Sequence, residues 1–148
     1  MSIVLDRPVE DFSSRLLVDV EPVIQPKSSP SLILKTSSWS RIDPPWLIVQ
    51  ASLQSCRGEV EGEFCILSQL ASKSYVQTCF CPEVGVAWRL EWRITEASGS
   101  YTHYFASVPG DSKNTDVVLS IEPVVSAFKA FYMNRPPPEA LVWQKYDI

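Results

Sequence analysis

Residues 86–94 alternate apolar and polar side chains without a break. Val86, Trp88, Leu90, Trp92 and Ile94 point one way, and Ala87, Arg89, Glu91 and Arg93 point the other. A period of two is the mark of a strand with one face buried and one face wet. Tyr75 to Phe80 is rich in β-formers and predicts a second strand before it. Tyr101 to Val108 predicts a third, reached through the hairpin-type connection Thr95–Ser100. Three consecutive strands with short links make an antiparallel meander. Upstream, Leu32 to Leu34 and the apolar run Trp46 to Ala51 are also of strand length. Phe64 to Leu70 fits a strand or a helical turn, and its periodicity does not decide between them.

The pattern changes near the C-terminus. Ile121, Val124, Val125, Phe128, Phe131 and Tyr132 recur at i, i+3, i+4, i+7, i+10 and i+11, which predicts one amphipathic helix with a wide apolar stripe. Ser120 stands at the N-cap position, with Glu122 and Pro123 in the first turn. Asn134 is a suitable C-cap, and the prolines at 136–138 forbid continuation. Leu141 to Trp143 then packs back as a short edge strand or clamp. Between the strands, Glu21 to Pro30 reads as an extended connection, Trp39 to Pro45 as a loop, and Gly58 to Glu63 as a turn. Val9, Phe12 and Leu16 allow a short helix near the start. The predicted architecture is a single α+β domain over residues 1–148. An antiparallel sheet of four to six strands carries a C-terminal helix across one face. Residues 1–30 are an extension that is either packed or loose.

At 148 residues the chain can bury roughly two-thirds of its unfolded surface. Its net charge is −4, from 17 acidic and 13 basic residues. No Lys/Arg run exists, so nucleic acid is not an expected partner. No stretch approaches the roughly 18 apolar residues of a membrane span, so no membrane partner is expected. The first residues lack a basic segment followed by an apolar one. That pattern predicts a cytoplasmic protein with reduced thiols.

Candidate chemistry is sparse. His103 is the only histidine. It lies mid-strand with no nucleophile elbow or glycine-rich oxyanion loop nearby, and reads as a structural histidine. Cys56, Cys65, Cys79 and Cys81 lack the paired spacing of a structural zinc site and read as buried free thiols. No phosphate-cradling glycine motif is present. The expectation is therefore a non-enzyme with no catalytic residue, cofactor or metal. Glu59, Glu61 and Glu63 alternate in a glycine-containing turn, which is either solvated or an acidic contact for a basic partner. Trp39 and Trp46 flank a proline-containing loop and are expected to be partly exposed. Trp is enriched at interface hot spots, so these five residues are the candidate partner-binding set.

Taken in order, Trp46–Val49, Tyr75–Thr78, Leu90–Arg93, His103–Ala106, the helix Val124–Phe131 and Leu141–Trp143 resemble the bacterial immunity proteins of polymorphic toxin systems. The type is the small immunity family found beside deaminase and nuclease toxins, and the resemblance spans residues 46–143. It implies a cytoplasmic inhibitor, monomeric or homodimeric, that binds a cognate toxin domain and blocks its active site. A nucleic-acid-targeting toxin is the implied partner. Two other classes stay open at this point. One is a secretion or effector chaperone, a homodimer with an exposed apolar groove. The other is a small-ligand-binding α+β domain with a pocket between helix and sheet, for which His103 is the only good buried polar group.

Overall fold

The computed structural model describes residues 30–56, 63–80, 88–108, 118 and 120–146. The elements are β1 (Leu32–Thr36), β2 (Ser40–Ile42), α1 (Trp46–Ser55), β3 (Phe64–Gln69), β4 (Tyr75–Phe80), β5 (Trp88–Thr95), β6 (Tyr101–Ser107), α2 (Ile121–Tyr132) and β7 (Val142–Tyr146). All strands join one antiparallel sheet in the order β2-β1-β3-β4-β5-β6-β7. The α+β class, the meander and the C-terminal helix on one face are as the pattern predicts. The described sheet has seven strands because the loop expected at 39–45 contains β2, which hydrogen-bonds back to β1. Phe64–Gln69 resolves as strand. The short helix expected over 9–17 lies outside the described residues.

The seventh strand exceeds the four to six expected, and a further expectation is overturned. The run from Trp46 is a helix, not a strand. Pro45 occupies the N-cap position with extended dihedrals, and its carbonyl accepts from the amides of Ile48 and Val49. Trp46, Val49 and Leu53 recur at i, i+3 and i+7, and they are the residues α1 buries. The opposite side of α1 carries Leu47, which is exposed, so the sequence shows no polar contrast there.

The sheet register explains the core. Leu34, Leu67, Val76 and Trp92 align across β1, β3, β4 and β5, and Cys65, Thr78 and Leu90 form the next row. All are buried. Thr78 satisfies its hydroxyl on the Arg89 carbonyl at 2.9 Å. Helix α2 lays Val124, Ala127, Phe128, Phe131 and Tyr132 on this face. Burying a Phe or Leu side chain contributes roughly 1.5–3 kcal/mol, so this stripe, and not helix propensity, fixes α2. Trp92 is the centre of the packing, edge-on to Phe131 at 5.4 Å and to Trp143 at 5.6 Å.

Helix α1 lies on the same face. The Trp88 indole donates to the Cys56 carbonyl at 2.9 Å, and the Tyr132 hydroxyl donates to the Pro44 carbonyl at 3.0 Å. These two bonds tie the ends of α1 to the sheet and to α2. At its far end, α2 stops in a Schellman turn. Asn134 adopts φ 58°, its amide bonds to the Phe131 carbonyl, and the Arg135 amide bonds to the Ala130 carbonyl. Ser120 sits at the N-cap in extended conformation, but its side chain makes no capping bond. Val118 instead pairs with Trp88 through two 2.8 Å backbone bonds and anchors the approach to α2.

Candidate functional site

A cleft of about 360 Å³ opens between α1, the β1–β2 turn and the start of β3. The turn is built by Thr36. Its hydroxyl accepts from the amides of Ser38 and Trp39 at 3.2 Å, while the Thr36 amide donates to the Trp39 carbonyl at 2.8 Å. A threonine closing its own turn in this way is a local alternative to continued strand. The Ser37 hydroxyl then accepts from the Phe64 amide at 3.3 Å, which joins the turn to β3. Trp39 is thereby held at the rim, 43% exposed. Glu63 lines the same cleft.

Of the five candidate contact residues, Trp39 and Glu63 thus line the same cleft. Trp46 is a correction. It is only 7% exposed and packs against the Tyr132 ring at 5.6 Å, because it is the first inward residue of α1. It is a core residue and not a surface anchor. Glu59 and Glu61 lie outside the described residues.

Two thiols line the inner part of the cleft. Cys56, at the C-cap of α1, directs its Sγ to the Glu63 carbonyl at 3.5 Å. Cys65, in β3, directs its Sγ to the Ser52 carbonyl at 3.5 Å. Both are buried and free. The Cys65 thiol lowers the Cys56 pKa against the opposing effect of burial. The Cys56 thiol, and then burial, raise that of Cys65. Sequence spacing did not reveal this pair, since one thiol ends a helix and the other sits inside a strand.

The face of the sheet opposite the helices is different. Among the described residues no helix packs on it. Tyr75, Arg93 and His103 form one cross-strand row. The Arg93 guanidinium lies 4.5 Å from the Tyr75 ring centre and 4.0 Å from that of Tyr101. It also donates through Nη2 and Nε to the Lys73 carbonyl, at 2.7 and 3.2 Å. In the adjoining row Gln77 donates to Glu91 at 2.8 Å. His103 meets Tyr75 edge-on at 6.4 Å. Burial, then the Arg93 charge, hold its imidazole below the ordinary histidine value. His103 therefore lies on the far side of the sheet from the helices, and cannot supply a polar group to a pocket between helix and sheet.

Among the described residues, no three His, Cys, Asp or Glu side chains converge to hold a metal ion, and no helix is long and apolar enough to cross a membrane. No protein-family model matches the chain, and no curated protein or solved structure is significantly similar to it.

Proposed function

We propose that this chain is an immunity protein, which binds a cognate bacterial toxin domain in the cytoplasm and blocks its active site. The observation that supports the reading is that Trp39 and Glu63 line one cleft. They come from segments far apart in sequence, and the Thr36–Trp39 turn holds the indole outward without a flexible linker. A partly exposed Trp and a carboxylate in one cleft combine the residue type most enriched at interface hot spots with a charge that draws a basic partner. A nucleic-acid-targeting toxin has such a surface, because its substrate is a polyanion. Pre-ordering of the rim lowers the entropy lost on binding, which is what tight inhibition requires.

The chaperone reading calls for one continuous apolar groove. The described apolar exposure is divided instead. Ile42, 61% exposed, lies on β2 at one sheet edge, and Val142, 41% exposed, lies on β7 at the other.

The test is co-expression with the polypeptide encoded by the adjacent gene. The immunity reading expects survival of an otherwise lethal toxin and a stoichiometric complex on pull-down. Trp39→Ala should weaken protection while the circular-dichroism melt stays unchanged. Absence of both complex and protection would overturn the reading.

A further inference from the structure

We propose that Cys56 and Cys65 form a reversible redox pair, closing an intramolecular disulfide inside the cleft when the protein meets a peroxide. Cys56 is held at the helix end by its amide bond to the Leu53 carbonyl at 3.1 Å and by the Trp88 indole on its own carbonyl. Cys65 is held in β3 by pairing with both β1 and β4. The Cys56 Sγ points to the Glu63 carbonyl, two residues before Cys65, and the Cys65 Sγ points to the Ser52 carbonyl, one helical turn before Cys56, so each thiol lies against the segment that carries the other. Isolated buried thiols behave as small apolar groups. This arrangement differs in that each thiol lies against the other's segment, and both line an opening far larger than the roughly 30 Å³ share of one water molecule. Cys79 pairs with Phe64 in the register that faces away from the helices, so the sheet separates it from the pair.

The two thiols are unequal in the way the chemistry needs. Cys56, whose ionisation its neighbour favours, is the attacking thiolate. It attacks one peroxide oxygen, the O–O bond breaks, and the departing hydroxide takes a proton to become water. Cys56 is then a sulfenic acid. The Cys65 sulfur attacks the Cys56 sulfur, the S–O bond breaks, and the second hydroxide leaves as water with the Cys65 proton. Two thiols and one hydrogen peroxide give one disulfide and two waters, with two electrons passing from sulfur to oxygen. A cytoplasmic reductant pool would reverse the bond, so it would serve as a signal and not as a permanent staple.

The experiment treats the whole protein with graded hydrogen peroxide, alkylates it after denaturation, and maps the peptides by mass spectrometry. The expected result is a Cys56–Cys65 cross-linked peptide that dithiothreitol abolishes, and no cross-link in Cys56→Ser. In the untreated native protein, iodoacetamide should label Cys56 at least about tenfold faster than Cys65. That reading stands even if the serine variant does not fold. The proposal is overturned if both cysteines remain alkylatable at peroxide levels that oxidise Cys79, if Cys56 cross-links to Cys79 or Cys81, or if Cys65 labels first.

Discussion

Replacing Arg93 by alanine removes the centre of the sheet face opposite the described helices. The guanidinium touches two aromatic rings, at 4.5 and 4.0 Å, and cation–π contacts at partly exposed sites contribute about 0.5–1 kcal/mol each. Its two donors share one acceptor, the Lys73 carbonyl, and a net hydrogen bond adds about 1 kcal/mol. Against these stands the rotamer freedom that alanine no longer has to lose, up to about 2 kcal/mol for a fully fixed arginine and less for this half-buried one. The balance is a destabilisation of about 1–2 kcal/mol. For a domain of this size, that is a fall in melting temperature of about 3–6 °C. The Lys73 backbone stands at φ 67°, so the arginine also clamps a turn in the left-handed region. Arg93→Lys keeps the charge but loses the planar fork and should recover only part of the loss. The assay is equilibrium urea unfolding of the three proteins at low and high salt. Because the stacking partners are neutral rings, the loss should persist at high salt. An unchanged midpoint for Arg93→Ala would refute the stacking argument, and a loss that vanishes in salt would assign it to ion pairing.

Three further outcomes are expected. Trp88→Phe strips the buried Cys56 carbonyl of its donor and should cost about 1–3 kcal/mol in denaturant unfolding, with the mean residue ellipticity of the folded state retained. Asn134→Ala places a Cβ-bearing residue without a compensating side-chain bond at φ 58° and should lower stability by about 1 kcal/mol, whereas Asn134→Gly should match or exceed the wild type in the same melt. His103 has its pKa lowered by folding, so the unfolded chain takes up the proton first as pH falls; stability should be full above 6.5 and decline as pH drops through it. His103→Gln should remove that slope between about pH 7 and pH 5.5, since no other histidine is present.

The elements with one wet and one dry face were legible in the sequence. β5 alternates because, among the described residues, helices cover one side of the sheet only, and the α2 stripe is clear because its outer face carries Glu122 and Lys129. Helix α1 escaped the same reading because Leu47 and Val49 are both apolar, although only Val49 is buried; a run apolar on every side has no phase to read. The Pro44–Pro45 pair was a start signal that the run of β-formers outweighed. The candidate site was half legible. Trp39 and Glu63 were identifiable as residue types, but their place in one cleft depends on the antiparallel pairing of Thr36 with Cys65. The same pairing brings Cys65 beneath the end of α1. Long-range register of this kind leaves no trace in local spacing. Trp46 misled because position beside a proline loop says nothing about which way a helix will turn its first residue.

Docking of a toxin domain on the cleft lined by Trp39 and Glu63 is open to a direct test. The most direct measurement is the dissociation constant of the complex with the polypeptide from the adjacent gene, taken by calorimetry for the wild type, Trp39→Ala and Glu63→Gln. A tight wild-type complex is expected, with a loss of roughly 2 kcal/mol or more for Trp39→Ala as befits a hot-spot aromatic, and for Glu63→Gln a weaker complex whose affinity depends less on salt. Wild-type affinity in both variants, with the complex intact, would contradict it and move the contact to another face of the molecule.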